Sequence, residues 1–332
     1  MILTKYSLFR LINLSGELNW KDKKLNFGGD LFLKKITFAM VIITIALSFS
    51  MSLFSSPLLA NTDNNRAESR NKYLNIMTVN KPQYDMVKKI IKEKNNVEYM
   101  FNSEKDISEF KYSEDVLSNI SNMDLFIYSG TSFEPWSDSF IDELKKGNLG
   151  IINLARGVRL LSYAHGSDTK ENPYYFEGIE EYKISLYNVK AAIQDKDPQN
   201  REYYEENYNE AIKEFDDKIK KYENKIKLLN EYKFITLNND FDYLTKSLYL
   251  NTSQLDNHEI AEFIKINNLD PKKVIIIVDG EQGTKVDLSA YNTVKLWKYY
   301  GDMSFDDLIL YNIEELSKWA KTKEVTTSSN IA

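Results

Sequence analysis

Five consecutive β-branched residues, Val274-Ile-Ile-Ile-Val278, call for a strand buried on both faces. A half-exposed antiparallel strand would alternate apolar with polar residues, whereas a central parallel strand under helices takes a continuous apolar run. The rest of the chain agrees. Segments 74–79, 97–101, 125–128 and 150–154 read as strands, and 84–92, 113–120 and 140–146 carry helical spacing, the second opened by a Ser-Glu-Asp cap. After a helical interruption the alternation restarts, with strands at 234–237 and 291–297 and helices at 241–248, 259–266 and 306–320. Strand and helix in turn predict an α/β fold of helix-covered, mostly parallel sheets.

The interruption divides the chain. Gly157, Gly166, Pro173 and Gly178 mark 157–178 as a surface loop, and 180–195 is a helix. From Glu202 to about Asn230 there is no Gly or Pro, and Tyr204, Tyr208, Ala211, Ile212, Phe215, Ile219, Tyr222, Ile226 and Leu229 recur at three- and four-residue steps. That pattern predicts one long amphipathic helix packed on a core. The expected organisation is two lobes, 73–200 and 232–321, braced by a connecting helix over 201–231, with a polar tail at 322–332.

Before the first lobe, Lys34-Lys35 precede an apolar run that ends in small residues at Leu58-Leu-Ala60, and Asn61-Thr-Asp follows. This is the pattern of a secretory signal over 33–60, followed by a linker over 61–72. An uncleaved anchor is the other reading of so long an apolar stretch. Residues 1–32 are an extension for which an early start codon would account. No Cys follows the apolar run, so no lipid-attachment site is present and a periplasmic location is expected. Residues 1–60 hold seven of the 43 basic and three of the 49 acidic residues, leaving 36 basic against 46 acidic, net −10. So acidic a body does not attract nucleic acid or anionic lipid. The absence of Cys excludes disulfides and thiolate chemistry, and two histidines, His165 and His258, cannot build a multi-histidine zinc site. No nucleophile elbow or Ser-His-Asp order is present, and no enzyme is expected. Asp279-Gly-Glu-Gln-Gly283 reads as an ordinary lobe turn.

Several segments, in order, carry a family resemblance. Met123-Asp-Leu-Phe-Ile-Tyr-Ser-Gly-Thr-Ser-Phe-Glu-Pro-Trp136 resembles "ADLVVYNGAGLEPW", and Ile151-Ile-Asn-Leu-Ala-Arg-Gly-Val-Arg-Leu-Leu161 is similar to the strand and turn after it. Asp197-Pro-Gln-Asn-Arg-Glu-Tyr-Tyr-Glu-Glu-Asn207 resembles "DPENAAYYEKNA", and Phe234-Ile-Thr-Leu-Asn-Asn-Asp-Phe-Asp-Tyr243 resembles "FVTSHDAFGYF". These are segments of the zinc/manganese type of ABC-transporter solute-binding protein. The resemblance implies two lobes with the ligand between them, a divalent cation as usual cargo, and docking on a membrane permease driven by a cytoplasmic ATPase.

At the four positions that match the family's metal ligands, this chain has Ser108, Tyr174, Asn238 and Lys298. Hydroxyls and an amide are weak donors to zinc or manganese, and an ammonium repels them. No cofactor is therefore expected; zinc or manganese follows only from the resemblance. The expectation is a monomeric importer component whose cleft takes a small organic or anionic ligand through Lys298 and the hydroxyls, with Tyr175, Phe176 and Tyr299 close by. Three alternatives stand beside it: a decayed cleft in which these are ordinary surface or interface polar residues, an adhesin-like interaction protein reusing the fold, and a metal binder with rearranged ligands such as His165, Asp168, Glu171 or Asp240.

Overall fold

The computed structural model describes residues 73–145, 147–165, 168–280 and 287–320, without side-chain detail at 164, 165, 168 and 169. The expected extension, signal segment, linker and tail lie outside the described residues. None of the described helices is long and apolar enough to cross a membrane.

The first lobe is built on a parallel sheet of β1 (Asn75–Asn80), β2 (Asn96–Phe101), β3 (Leu125–Tyr128) and β4 (Gly150–Asn153), in the order β2-β1-β3-β4. Asn80 ends β1 and starts α1 (Lys81–Ile91) through a capping box: its Oδ1 accepts from Gln83 N at 2.9 Å, while Gln83 Oε1 accepts from Asn80 N. Four unsatisfied N–H groups begin a helix, and this reciprocal pair takes up two of them while fixing the strand-to-helix corner. Short helices α2 (Glu104–Ser108), α3 (Glu114–Ser121) and α4 (Ser137–Glu143) connect the strands, with Ser103 and Ser113 as the N-caps of α2 and α3.

The 157–178 segment is more ordered than a surface loop. It forms an antiparallel hairpin, β5 (Ser162–His165) with β6 (Asp168–Glu171), then a 3-10 turn in which Tyr175, Phe176 and Glu177 are buried. The part from Asn172 to Glu177 packs inward, a distinction that composition does not make.

Helices α5 (Ile179–Lys196), α6 (Arg201–Lys220) and α7 (Glu223–Leu229) lead to the second lobe. The predicted single helix breaks at Lys221-Tyr222, where the backbone stays near helical values but the ladder is interrupted. Its buried residues, Tyr204, Asn207, Phe215 and Leu229, lie on the apolar stripe the spacing defines. The second sheet holds β7 (Lys233–Thr236), β8 (Thr252–Gln254), β9 (Val274–Asp279) and β10 (Asn292–Leu296), all parallel, in the order β10-β9-β7-β8. β9 is the five-residue β-branched run plus Asp279, it is interior to the sheet, and all its residues are buried. Helices α8 (Asp242–Ser247) and α9 (Ile260–Ile266) follow β7 and β8, and Ile260 and Ile264 pack with Ile235, Val274, Ile276 and Val278.

The last helix, α10 (Phe305–Ala320), packs against both lobes. Its Asp306 pairs with Lys89 of α1 at 2.9 Å, and Phe305 stacks on Phe176 with ring centres 4.3 Å apart. Elsewhere along the seam Tyr299 Oη donates to Asn102 O at 3.1 Å, Asn172 Nδ2 donates to Asn239 O at 2.5 Å, and Leu161 N donates to Tyr243 Oη at 2.7 Å. Gly301 lies so close to the first lobe that a Cβ there would fall 1.6 Å from Asn102 O. That neighbour is backbone and cannot rotate away. Gly301→Ala is therefore expected to destabilise the protein by on the order of 3 kcal/mol through overpacking, measured by urea unfolding; an unchanged midpoint would show that the lobes do not meet there.

Candidate functional site

The family-like motif Ser129…Glu134-Pro-Trp136 is scaffold. The Glu134 carboxylate is buried and accepts from Ser129 N at 2.7 Å, Ser129 Oγ at 2.8 Å and Gln83 Nε2 at 3.2 Å, tying the carboxyl end of β3 to α1. Burial pushes its pKa up to about 7 while these donors pull it down. Two residues on, Trp136 Nε1 donates to Ile107 O at 2.7 Å and anchors α2. That contact matters because α2 carries Glu104 to the seam between the lobes.

At the seam stands Lys298, just past β10, with 5% of its side chain exposed. Its Nζ lies 3.5 Å from Asp240 Oδ2, 3.8 Å from Asp279 Oδ2 and 3.9 Å from Glu104 Oε1. It also sits 4.8 Å from the centre of the Tyr174 ring, within reach of a cation–π attraction. Tyr174 Oη donates to Glu104 Oε1 at 2.6 Å. Asn238 Nδ2 donates to Asp240 Oδ2 at 2.9 Å. Glu177 completes the group: it is wholly buried, and neither carboxylate oxygen has a hydrogen-bond partner among the described residues.

The charges respond to one another. Burial would lower the Lys298 pKa, but Asp240, Glu104 and Asp279 outweigh it and hold the ammonium above lysine's ordinary value. Burial raises Asp240, with Asp279 adding to the rise and Lys298 opposing it. Glu177 is pushed well above the carboxylate range, first by burial and then by Asp240, with Asp279 and Glu104 adding and Lys298 opposing. Burial raises the Tyr174 hydroxyl far above its ordinary value, with Glu104 adding. Three carboxyl groups thus share one ammonium, with Glu177 buried in their field.

Three of the four positions singled out from sequence meet here. Lys298 and Tyr174 are in contact, and Asn238 touches them through Asp240. Ser108 is not with them: it is exposed at the end of α2, and its Oγ donates to Lys105 O at 2.9 Å. Glu104, one turn earlier, is the residue α2 delivers. The Lys298 ammonium, expected to hold a small ligand, is already shared by carboxylates, and an added anion would face them. Of the rearranged metal ligands, Glu171 is exposed, Asp240 is paired with Lys298, and the side chains of His165 and Asp168 lie outside the described residues. His258 is exposed on a 3-10 turn. Sequence reasoning missed Glu104, Glu177 and Asp279. Only Asp279 carried a signal, being at the carboxyl end of a central parallel strand, where open α/β sheets place their functional groups.

The chain has relatives of known kind. Residues 76–279 match the family model for the zinc-uptake complex component A, periplasmic (ZnuA). The chain belongs to that family. Within it, the chain is 27% identical over 194 residues to the high-affinity zinc uptake system protein ZnuA of Bacillus subtilis (strain 168), covering 54% of this chain and 60% of that one. It is 25% identical over 185 residues to a metal ABC transporter substrate-binding lipoprotein of Lactococcus lactis, covering 53% and 59%. The chain thus spans less than two thirds of the length of these relatives. Among solved structures, the metal-dependent lipoprotein YcdH of Bacillus subtilis shares the fold with a TM-score of 0.62 at 22% identity, over 74% of this chain and 98% of that one. The solute-binding protein FpvC of Pseudomonas aeruginosa, in complex with Mn2+, does so with a TM-score of 0.60 at 16% identity, over 75% and 99%. The ZnuA family consists of solute-binding components of ABC importers and is not an enzyme family.

Among the described residues of this ZnuA-family chain, no three His, Asp or Glu side chains converge in a metal-holding geometry. A group such as Glu177, with its folded pKa above its unfolded value near 4.5, holds its proton more tightly in the native state. Its contribution to stability is full below that unfolded value and is lost as pH rises through the folded one. Glu177→Gln removes this dependence. Thermal unfolding at pH 5, 6.5 and 8 is expected to show a shallower loss of Tm with rising pH in Glu177→Gln than in the native chain. Parallel profiles would mean that Glu177 titrates normally.

Proposed function

We propose that this chain is the extracytoplasmic solute-binding component of an ABC importer, docking on a permease through its two lobes, and that it does not capture zinc or manganese with the family's usual ligand set. The lobe limits proposed are 73–200 and 232–321, with 201–231 between them, and export through the 33–60 signal rather than a lipid anchor. Family membership supports the importer role and an extracytoplasmic location. What carries the second half of the reading is Lys298. A buried ammonium shared by Asp240, Asp279 and Glu104 puts a fixed positive charge at the matching position of the cleft. A divalent cation there would have to displace it or lie beside it, and at a few ångströms like charges repel strongly where water is excluded.

Elemental analysis of the purified protein is expected to find zinc and manganese well below one ion per chain. Added zinc or manganese is expected to leave the Tm in place, since a ligand at 100 times its Kd would stabilise the native state by about 2.7 kcal/mol. Stoichiometric metal with a matching rise in Tm would overturn the proposal.

A further inference from the structure

The cluster at the seam has a property that the importer reading does not use. Its members come from opposite lobes. Glu104, Tyr174 and Glu177 belong to the first, and Asp240, Asp279 and Lys298 to the second. Without a cation, carboxylates of one lobe would confront carboxylates of the other across a seam from which most water is excluded. The side chains of Glu104 and Asp240 are 26% and 21% exposed, and Asp279 is 7% exposed, so solvent screens the group weakly. Such a set persists only if a positive charge sits within it or its carboxyls take up protons, and the ion pairs at Lys298 show the first. Here the chain supplies that charge itself.

We propose that the Lys298 ammonium is an internal, tethered cation that holds the two lobes together in the absence of any bound solute. It binds Asp240 and Asp279 within its own lobe and Glu104 across the seam, and it lies over the face of Tyr174, which in turn donates to Glu104. A free metal ion can leave its ligands; an ammonium on the chain cannot. The surrounding seam is fitted to the closed arrangement. Phe133 packs against Tyr299 with ring centres 5.1 Å apart, Tyr299 Oη donates to Asn102 O, and Gly301 leaves no room beside Asn102. Glu177, buried and without a hydrogen-bond partner among the described residues, adds a further carboxyl that this closure keeps from water. The proposal rests on the importer-type reading above and extends it. The closed face of the protein would be displayed to a membrane partner continuously rather than on loading.

The chain contains no Cys, so two can be introduced for spin labels without removing any. Ser118 on α3 and Glu262 on α9 are exposed, one on each lobe. The distance between labels at Ser118→Cys and Glu262→Cys is measured by double electron–electron resonance on the full chain as purified, after exhaustive chelation, and with zinc or manganese added. One narrow distribution, unchanged across the three conditions, is expected. A mean that lengthens on chelation, or shortens on adding either metal, would overturn the proposal. In the same labelled chain Lys298→Met removes the charge while keeping the bulk. A mean longer by several ångströms is expected there, as is a metal-dependent return towards the native distance, since an external cation then replaces the missing one. A Lys298→Met distribution that matches the native one would overturn the internal-cation role. The native-chain measurements decide the question even if Lys298→Met does not fold. Metal content distinguishes the two proposals: stoichiometric zinc overturns the proposed function, whereas a distance that moves in a metal-free chain overturns only the internal closure.

Discussion

Where the two lobes meet, acidic side chains from both share one place, and a cation among them offsets their repulsion. In this chain the cation is the Lys298 ammonium. Buried charges are costly unless paired, and removal of one partner of a buried group costs more than the pair returns. That asymmetry makes the cluster a constraint on the whole structure. The first lobe must present Glu104 and Tyr174, the second must present Asp240 and Asp279, and the seam must bring the carboxylates within 3.9 Å and the ring centre within 4.8 Å of one nitrogen.

The scaffold shows how that placement is achieved. Glu104 reaches the seam because α2 is pinned by Trp136 to Ile107 O, and Trp136 follows a buried Glu134 that organises the end of β3. Asp279 is in place because β9 is interior to its sheet and delivers its last residue at the carboxyl edge. Asp240 follows β7, next to β9 in the same sheet, and Lys298 follows β10 on the other side of it. Three parallel strands thus place three charged residues at one edge, a direct result of running strands in the same direction. The closing helix α10 then holds the lobes from behind through Asp306 with Lys89 and Phe305 with Phe176.

Much of this was legible in the linear chain. The β-branched run identified the interior strand, since a strand covered on both faces favours such a run, and the alternation of periods identified the parallel class. The long Gly- and Pro-free stretch located the connection, although its break at Lys221-Tyr222 depends on packing that leaves no mark on spacing. The 157–178 segment was harder. Its turn residues suggested a loop, and only the packing of Phe176 against Phe133, Tyr299 and Phe305 shows that it is a wall of the seam. At the site, Tyr174, Asn238 and Lys298 were singled out through the resemblance, and the structure brings them together. What they do there was not legible in the sequence.

The amino-acid order by itself determined the α/β class, the two-lobed plan and the acidic character. Each of these follows from local pattern or residue type, which the chain states directly. Only the tertiary structure decided that Lys298 meets carboxylates rather than solvent, that Glu104 and not Ser108 faces it, and that Glu177 is sealed beside them. Those residues lie up to 194 positions apart in the numbering, from Glu104 to Lys298. The field each one feels is set by neighbours that only folding assembles, so the role of the lysine is a property of the closed seam.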